Sequence, residues 1–196
     1  MAVEKVTIAQ VKNIAEYEKV RPAFRDEIIA LKKRRRISVG PVITLLFENA
    51  STVLFQVQEM MRVERIVHDE AIQWELDTYN QLLPNAPGEL GATLFIEITQ
   101  ESDIQLSLEA LMGVDSGDCV YIEVAGQRIE GNFEAGHSSD IKLSAVHYVH
   151  FQFSPEQVNA FKDMTQPAAI VVSHPNYKHR TEMPQDIRES LREDLV

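Results

Sequence analysis

Apolar residues recur every three or four positions through most of the first 84 residues, which is the spacing of helices with one buried face. Pro22 can occupy the first turn of a helix and Asn49 can cap one, so both mark predicted helix starts. Between these helices, the β-branched segment from Ile37 to Phe47 predicts a strand broken at Gly40-Pro41. The predicted helices are 7–20, 22–33, 50–68 and 69–82, the last continuing from the third or separated from it by a kink.

The pattern changes after the Pro84–Gly88 segment, whose prolines and glycine predict a turn. Short runs of β-branched residues then alternate with turn residues, and Ala125-Gly126 fits a tight hairpin between two of these runs. The predicted strands are 92–98, 119–124, 127–133, 144–153 and 168–173. The predicted helices of this part are 104–112, 155–161 and 184–195.

This order predicts an α+β fold. We expect residues 1–84 to form a helical portion with one strand. They should pack on a mainly antiparallel, β-rich lobe formed by residues 91–196 and closed by a C-terminal helix.

Charge and composition restrict the function. The net charge of −11 is uneven: residues 1–90 carry 12 basic and 13 acidic side chains, and residues 91–196 carry 7 and 17. An acidic chain lacks the positive potential that nucleic acids and acidic membranes attract, so we expect neither as a partner. The single cysteine, Cys119, excludes an intrachain disulfide, and no run approaches the length of a membrane span. A cytoplasmic location is therefore expected.

Glu64 and His68 are four residues apart within the apolar stripe of the predicted central helix, so both side chains can reach one point. They are candidate ligands for iron, manganese or zinc. Such a site needs further ligands, and Glu59, Glu75 and His147 are candidates. The alternative is structural: Glu64 forms an ion pair with an arginine, and His68 donates to a backbone carbonyl.

The basic run Lys32–Arg36 could be an anion-binding patch, but five charges are few in an acidic chain. Arginines suit internal pairing with carboxylates. We therefore expect at least one of Arg34, Arg35 and Arg36 to fold onto a carboxylate of the central helix, where Glu59 and Glu64 need compensation.

Three further residues have both a functional and a structural interpretation. In the predicted strand 144–153, alternation turns His147 toward the core and His150 away from it. A buried histidine can be a base, a ligand or a hydrogen-bonded core residue. In residues 173–177, His174 and Tyr177 could line a cleft, or they could belong to a turn with a structural tyrosine.

Common catalytic signatures are missing: the chain has no P-loop, no dinucleotide-binding glycine motif, no G-x-S-x-G and no C-x-x-C. Longer sequence motifs are therefore the better basis for comparing this chain with known families. Residues 40–64, GPVITLLFENASTVLFQVQEMMRVE, together with SAVHY and SHPNY further on, resemble a bacterial domain-of-unknown-function family of about this length.

The resemblance implies a role close to peroxide or electron-transfer chemistry, because members of that family look to be encoded beside rubrerythrin-like and iron–sulfur oxidoreductase proteins. Two hypotheses follow. The chain is an accessory protein that binds a partner of a redox or oxidative-stress system, or it is a metal-dependent enzyme with its site at Glu64 and His68. Whether it is an enzyme stays open at this point.

Overall fold

A computed structural model describes residues 5–100, 102, 104–116, 118–134 and 143–195. Six helices and eight strands lie in these ranges, with 3₁₀ turns at Ile8–Gln10 and Asn80–Leu82. The helices are α1 Ile14–Lys33, α2 Ala50–Glu64, α3 Asp69–Tyr79, α4 Ile104–Ala110, α5 Pro155–Lys162 and α6 Gln185–Leu191. The strands are β1 Arg36–Val39, β2 Ile43–Phe47, β3 Glu89–Ile96, β4 Val120–Val124, β5 Gln127–Phe133, β6 Val146–Gln152, β7 Ala168–His174 and β8 Tyr177–Glu182.

The strands form one sheet in the order β1-β2-β3-β6-β5-β4-β7-β8, and every pairing is antiparallel. The sheet is rolled, so that β1 comes into contact with β8. Side chains of β8 join the two edges: the Tyr177 hydroxyl donates to the Val39 carbonyl at 2.6 Å, and the Thr181 hydroxyl donates to the Ser38 carbonyl at 3.0 Å. Covering an edge in this way protects its unpaired backbone groups.

The sheet therefore has two buried surfaces. Its inner face holds the main core, to which Leu45, Leu94 and Phe151 contribute. Part of its outer face is covered by helices, and a second core there contains Val57 and Leu76. The α+β prediction, with helices on an antiparallel sheet, is confirmed. Within the ranges described, no helix is long and apolar enough to span a bilayer.

The first 84 residues supply two strands to the sheet, where we predicted one. Gly40 adopts a φ of 76° in the turn after β1, so the chain reverses there and β2 pairs back on β1. A side chain would meet the Tyr177 hydroxyl at Gly40, which is a second reason for glycine. The division of the chain into two portions stays a prediction.

The two helices predicted before residue 34 are one helix, α1, with Pro22 inside it. Proline removes a helical hydrogen bond, so packing must hold the helix through this point. Tyr17 and Phe24 pack edge to face at 6.4 Å, and Phe24 packs on Phe55 of α2 at 5.7 Å. These contacts lie on both sides of the proline and keep α1 continuous.

The central helix is shorter than predicted. It ends at Glu64, because Arg65 adopts the left-handed conformation with a φ of 57°. His68 then occupies the cap position before α3. The apolar spacing of Val63 and Val67 continued the helical pattern, but both side chains are largely exposed and are not part of a buried stripe.

Candidate functional site

The structure does not bring the five candidate metal ligands, Glu59, Glu64, His68, Glu75 and His147, together in one site. Glu64 and His68 are both exposed and lie on either side of the break between α2 and α3. Their spacing of four residues therefore does not place the two side chains on one helix face. In the described ranges, no group of three or more His, Cys, Asp or Glu side chains is placed to hold a metal ion.

Glu59 is engaged in the contact between α1 and α2. Arg21 binds its carboxylate with two hydrogen bonds of 2.7 and 2.8 Å, and the Tyr17 hydroxyl donates to it at 2.7 Å. The Arg21 hydrogen bonds lower the pKa of Glu59, outweighing the effect of burial. Burial first, and then the Glu59 carboxylate, raise the pKa of Tyr17. This carboxylate serves helix packing.

His147 is buried, as the alternation of its strand predicts. Its Nε2 lies 2.7 Å from the Ser144 carbonyl, and its Nδ1 lies 3.5 Å from a carboxylate oxygen of Asp115. The ring also packs edge to face on Phe133. These contacts are those of a hydrogen-bonded core residue.

Of the three arginines, Arg35 folds inward and is 1% exposed. Its carboxylate partner is Asp194, near the C-terminus, and not a carboxylate of the central helix. That part of the prediction is wrong, because Arg21 already compensates Glu59 and because Glu64 is in solvent. Arg36 pairs with Glu97 at the surface, and Arg34 is exposed.

His174 and Tyr177 are on opposite sides of the two-residue turn between β7 and β8. His174 is buried, with its Nε2 3.0 Å from the Met112 carbonyl. Tyr177 is buried against β1 and β2, and its hydroxyl accepts from the Val42 amide at 3.1 Å. Both residues make contacts that stabilise the turn and the closure of the sheet.

The most unusual ionisable group is His150, which sequence reasoning turned away from the core. It does lie on the face opposite His147, but that face is covered by the 3₁₀ turn 80–82, and His150 is 5% exposed. The covering turn is so close that a Cβ at Gly91, opposite His150, would lie 2.1 Å from the Leu82 carbonyl. Large side chains on the outer face, such as Leu46 and Tyr148, were the available signal that this face is covered.

Two carboxylates flank His150, and we name Glu89, Glu134 and His150 the His150 cluster. The Nδ1 atom lies 3.3 Å from Glu89, and Nε2 lies 3.5 Å from Glu134. Neither nitrogen meets strict hydrogen-bond geometry within the described residues, although each lies within 3.5 Å of a carboxylate oxygen. Glu89 also accepts from the amides of Asn85 and Ala86, which fixes the turn predicted at Pro84–Gly88.

Electrostatic interactions within this cluster favour the charged forms of His150 and Glu89. Burial acts to lower the pKa of His150, but the Glu89 and Glu134 carboxylates outweigh it and raise that pKa above its ordinary value. Burial acts to raise the pKa of Glu89, but His150 and the two backbone amides outweigh it and lower that pKa. Burial lowers the pKa of the nearby Lys5 amine, against the attraction of both carboxylates. The cluster is thus a buried site that favours the protonated form of His150.

This arrangement predicts a pH-dependent contribution of His150 to stability. A histidine whose pKa is raised on folding stabilises the protein fully below its unfolded pKa of about 6.5 and loses this effect as the pH rises through the folded value. We expect His150→Gln to lower the free energy of unfolding by about 1–3 kcal/mol at pH 5.5, through the unpaired carboxylates. The loss should shrink between pH 6.5 and 8.5 in urea titrations.

The matched control is His68→Gln, the same change at an exposed histidine. Its effect on the free energy of unfolding should stay within about 0.5 kcal/mol at every pH. A difference between wild type and His150→Gln that does not vary from pH 5.5 to 8.5 would contradict the charge assignment.

Three large apolar side chains around the connection between α2 and α3 are exposed, and we call them the α2–α3 corner. Val63 is at the end of α2, Val67 is between the helices and Trp74 is within α3. Val63 is 66% exposed, Val67 63% and Trp74 66%. The buried faces of these helices are formed by other residues, including Met61 and Leu76. The three side chains of the corner therefore do not contribute to the core of the protein.

Comparisons with known proteins agree on the fold and leave the activity open. A family model described as a protein of unknown function (DUF3501) matches residues 5–195. A crystal structure of a novel protein of unknown function from Burkholderia pseudomallei K96243 is similar to this chain, with 31% identity and a TM-score of 0.90. The match covers 98% of this chain and 100% of that one. No curated protein matches the chain.

Proposed function

The chain belongs to the DUF3501 family of proteins of unknown function, and we propose that it is a cytoplasmic accessory protein that binds a partner protein through the α2–α3 corner. The observation that carries the proposal is the exposure of Val63, Val67 and Trp74 within twelve consecutive positions. Single exposed apolar residues are ordinary on protein surfaces. Tryptophan, however, is enriched among the residues that dominate binding energy at interfaces.

The charges around the corner indicate the chemistry of the partner. Glu64, Asp69, Glu70 and Asp77 are exposed there, against the single exposed arginine Arg65. An interface with an apolar centre and an acidic rim is complementary to a partner with an apolar patch and a basic rim. The partner class that we propose is a rubrerythrin-like or iron–sulfur oxidoreductase protein, as the family resemblance implies.

Trp74 is the only tryptophan of the chain, so it can report on its own burial. We expect isothermal titration with the purified rubrerythrin-like protein or iron–sulfur oxidoreductase of the same organism to show saturable binding. The fluorescence of Trp74 should change in parallel. Val63→Ser and Trp74→Ala should each weaken binding by about tenfold or more, because they remove apolar contacts at the centre of the interface.

The matched control is Leu106→Ser on α4, since Leu106 is 69% exposed but lies in another helix. This variant should bind as the wild type does. Binding that is unchanged in the corner variants, or absent with both partner proteins, contradicts the proposal.

A metal-dependent enzyme is the second candidate, and one observation favours it. Glu75 is buried, and burial first, then the carboxylate of Glu64, raise its pKa, because the two carboxylates are close enough to repel each other. Elemental analysis of protein purified without a histidine tag tests this candidate. Stoichiometric iron, manganese or zinc that is lost in both Glu64→Gln and His68→Ala would replace the accessory role by the enzymatic one.

A further inference from the structure

A pocket of about 220 Å³ lies on the outer face of the sheet beside the first turns of α2. The residues that matter for its chemistry are Lys32, Glu48, Tyr79, Thr93, Phe95 and Tyr148. Glu48 and Val63 of the α2–α3 corner are at opposite ends of α2, about 20 Å apart at 1.5 Å per residue. Trp74 of the corner and Tyr79 of the pocket both lie on α3, about 8 Å apart along its axis, so the two sites share this helix.

The most informative residue of the pocket is Glu48, which is 7% exposed. Its carboxylate accepts a hydrogen bond from the Thr93 hydroxyl at 3.0 Å. Among the described residues, no basic side chain lies within 4 Å of it. A buried carboxylate normally has a cation or several donors as partners, because removing it from water is costly.

Three nearby groups could compensate this charge from within the chain, and each is engaged elsewhere. The Arg35 guanidinium donates to the backbone carbonyls of Phe47 and Glu48 and pairs with Asp194. At the start of α2, Asn49 and Thr52 satisfy each other's backbone amides in a capping box, so Glu48 is not the cap. The Lys32 amine lies 5.9 Å from the centre of the Phe55 ring, in a cation–π arrangement. The carboxylate of Glu48 is left facing the pocket.

We propose that this pocket binds a small organic ammonium compound, with the positively charged nitrogen at Glu48 and the apolar part against the aromatic lining. Aromatic side chains supply the rest of the recognition, because Tyr79, Phe95 and Tyr148 line the pocket and offer apolar surface to the ligand. The Arg36 guanidinium already lies 5.4 Å from the centre of the Phe95 ring. The volume exceeds that of an engineered cavity of about 150 Å³ that binds benzene. A ligand of roughly ten non-hydrogen atoms therefore fits.

Phenethylamine, which is positively charged at pH 7, is a suitable probe, and 2-phenylethanol is its neutral isostere. We expect isothermal titration to give saturable phenethylamine binding with a Kd of about 1 mM or lower, a range open to ligands of this size. The backbone amide signals of Thr93 and Tyr148 should shift in NMR spectra. 2-Phenylethanol should bind at least about tenfold more weakly, because it lacks the charge that Glu48 recognises.

Glu48→Gln keeps the shape of the side chain and removes its charge, so it should weaken phenethylamine binding by about tenfold or more. The control is Glu70→Gln, at an exposed position of α3, which should bind as the wild type does. Circular dichroism melting identifies any variant that is not folded. The comparison of the two probes on the wild type tests the proposal even if Glu48→Gln does not fold.

Three results would overturn the proposal. The first is equal binding of phenethylamine and 2-phenylethanol to the wild type, and the second is no saturable binding of either. The third is binding that appears only in Lys32→Met, because the lysine of the chain itself would then be the cation of this pocket. Wild-type binding that Lys32→Met leaves equal or strengthens supports the proposal, since that change removes a like charge from the lining.

Discussion

Replacing Arg35 by methionine is expected to lower the free energy of unfolding by roughly 3–5 kcal/mol, the cost of removing one partner from a buried ion pair. The guanidinium of Arg35 donates to the Phe47 carbonyl at 2.9 Å and the Glu48 carbonyl at 3.3 Å, and it pairs with Asp194. It thereby connects the end of β2 to the C-terminal segment. Urea titrations at pH 7 measure the loss.

The loss should also depend on pH. Burial raises the pKa of Asp194, and Arg35 acts against this rise. Without Arg35 the folded pKa rises further, so the variant loses more stability as the pH increases above the unfolded value. The difference from the wild type should therefore be larger at pH 7 than at pH 4.5. Arg34→Met, at the exposed neighbouring position, is the control and should change stability by less than about 0.5 kcal/mol. Equal losses in the two variants would contradict the role given to Arg35.

Arg188→Met is expected to cost about 3–4 kcal/mol, because it removes the donors of four backbone carbonyls at about 1 kcal/mol or more each. Arg188 is buried and donates to Ala160, Phe161 and Asp163 at 2.8–2.9 Å, and also to Gln166. These carbonyls lie at the end of α5 and in the turn that follows, where the helix provides no donors to Ala160 and Phe161. The Asp163 carbonyl also accepts from the Gln166 amide at 3.0 Å. The positive charge also suits the C-terminal end of a helix.

Thermal and urea unfolding of Arg188→Met and Arg192→Met tests this role. Arg192 is exposed at the end of the same helix α6, so its replacement should be close to neutral. Arg188→Lys should recover only part of the loss, because one amine cannot reach acceptors spread around a planar guanidinium. A loss below about 1 kcal/mol in Arg188→Met would show that water replaces these donors.

Local sequence patterns were sufficient to predict most of the strands. Five predicted strands correspond to β3 to β7, and the hairpin at Ala125-Gly126 joins β4 to β5 as expected. Alternating side chains and tight-turn residues are signals that extend over only a few positions, so strands can be predicted from the sequence directly. Strand β8 was missed, because its sequence YKHRTE has little apolar character and only Tyr177 is buried in it.

The candidate site could not be predicted from local sequence patterns in the same way. Helical spacing suggested a Glu64–His68 pair, but the left-handed Arg65 ends α2 between them. A single backbone conformation of this kind leaves the apolar pattern of neighbouring positions unchanged. His150 was placed on the correct face of its strand, yet its burial depends on the turn 80–82, which lies almost 70 positions earlier in the chain.

By itself, the sequence determined the fold class, the strands from β3 to β7 and the inward direction of His147, because each follows from periodicity within one element. Only the tertiary structure decided which charges are buried and with which partner. Arg35 pairs with Asp194, 159 positions away, and His150 lies between Glu89 and Glu134. Those pairs depend on how the sheet rolls and which face the helices cover, and this is set by the packing of the whole chain.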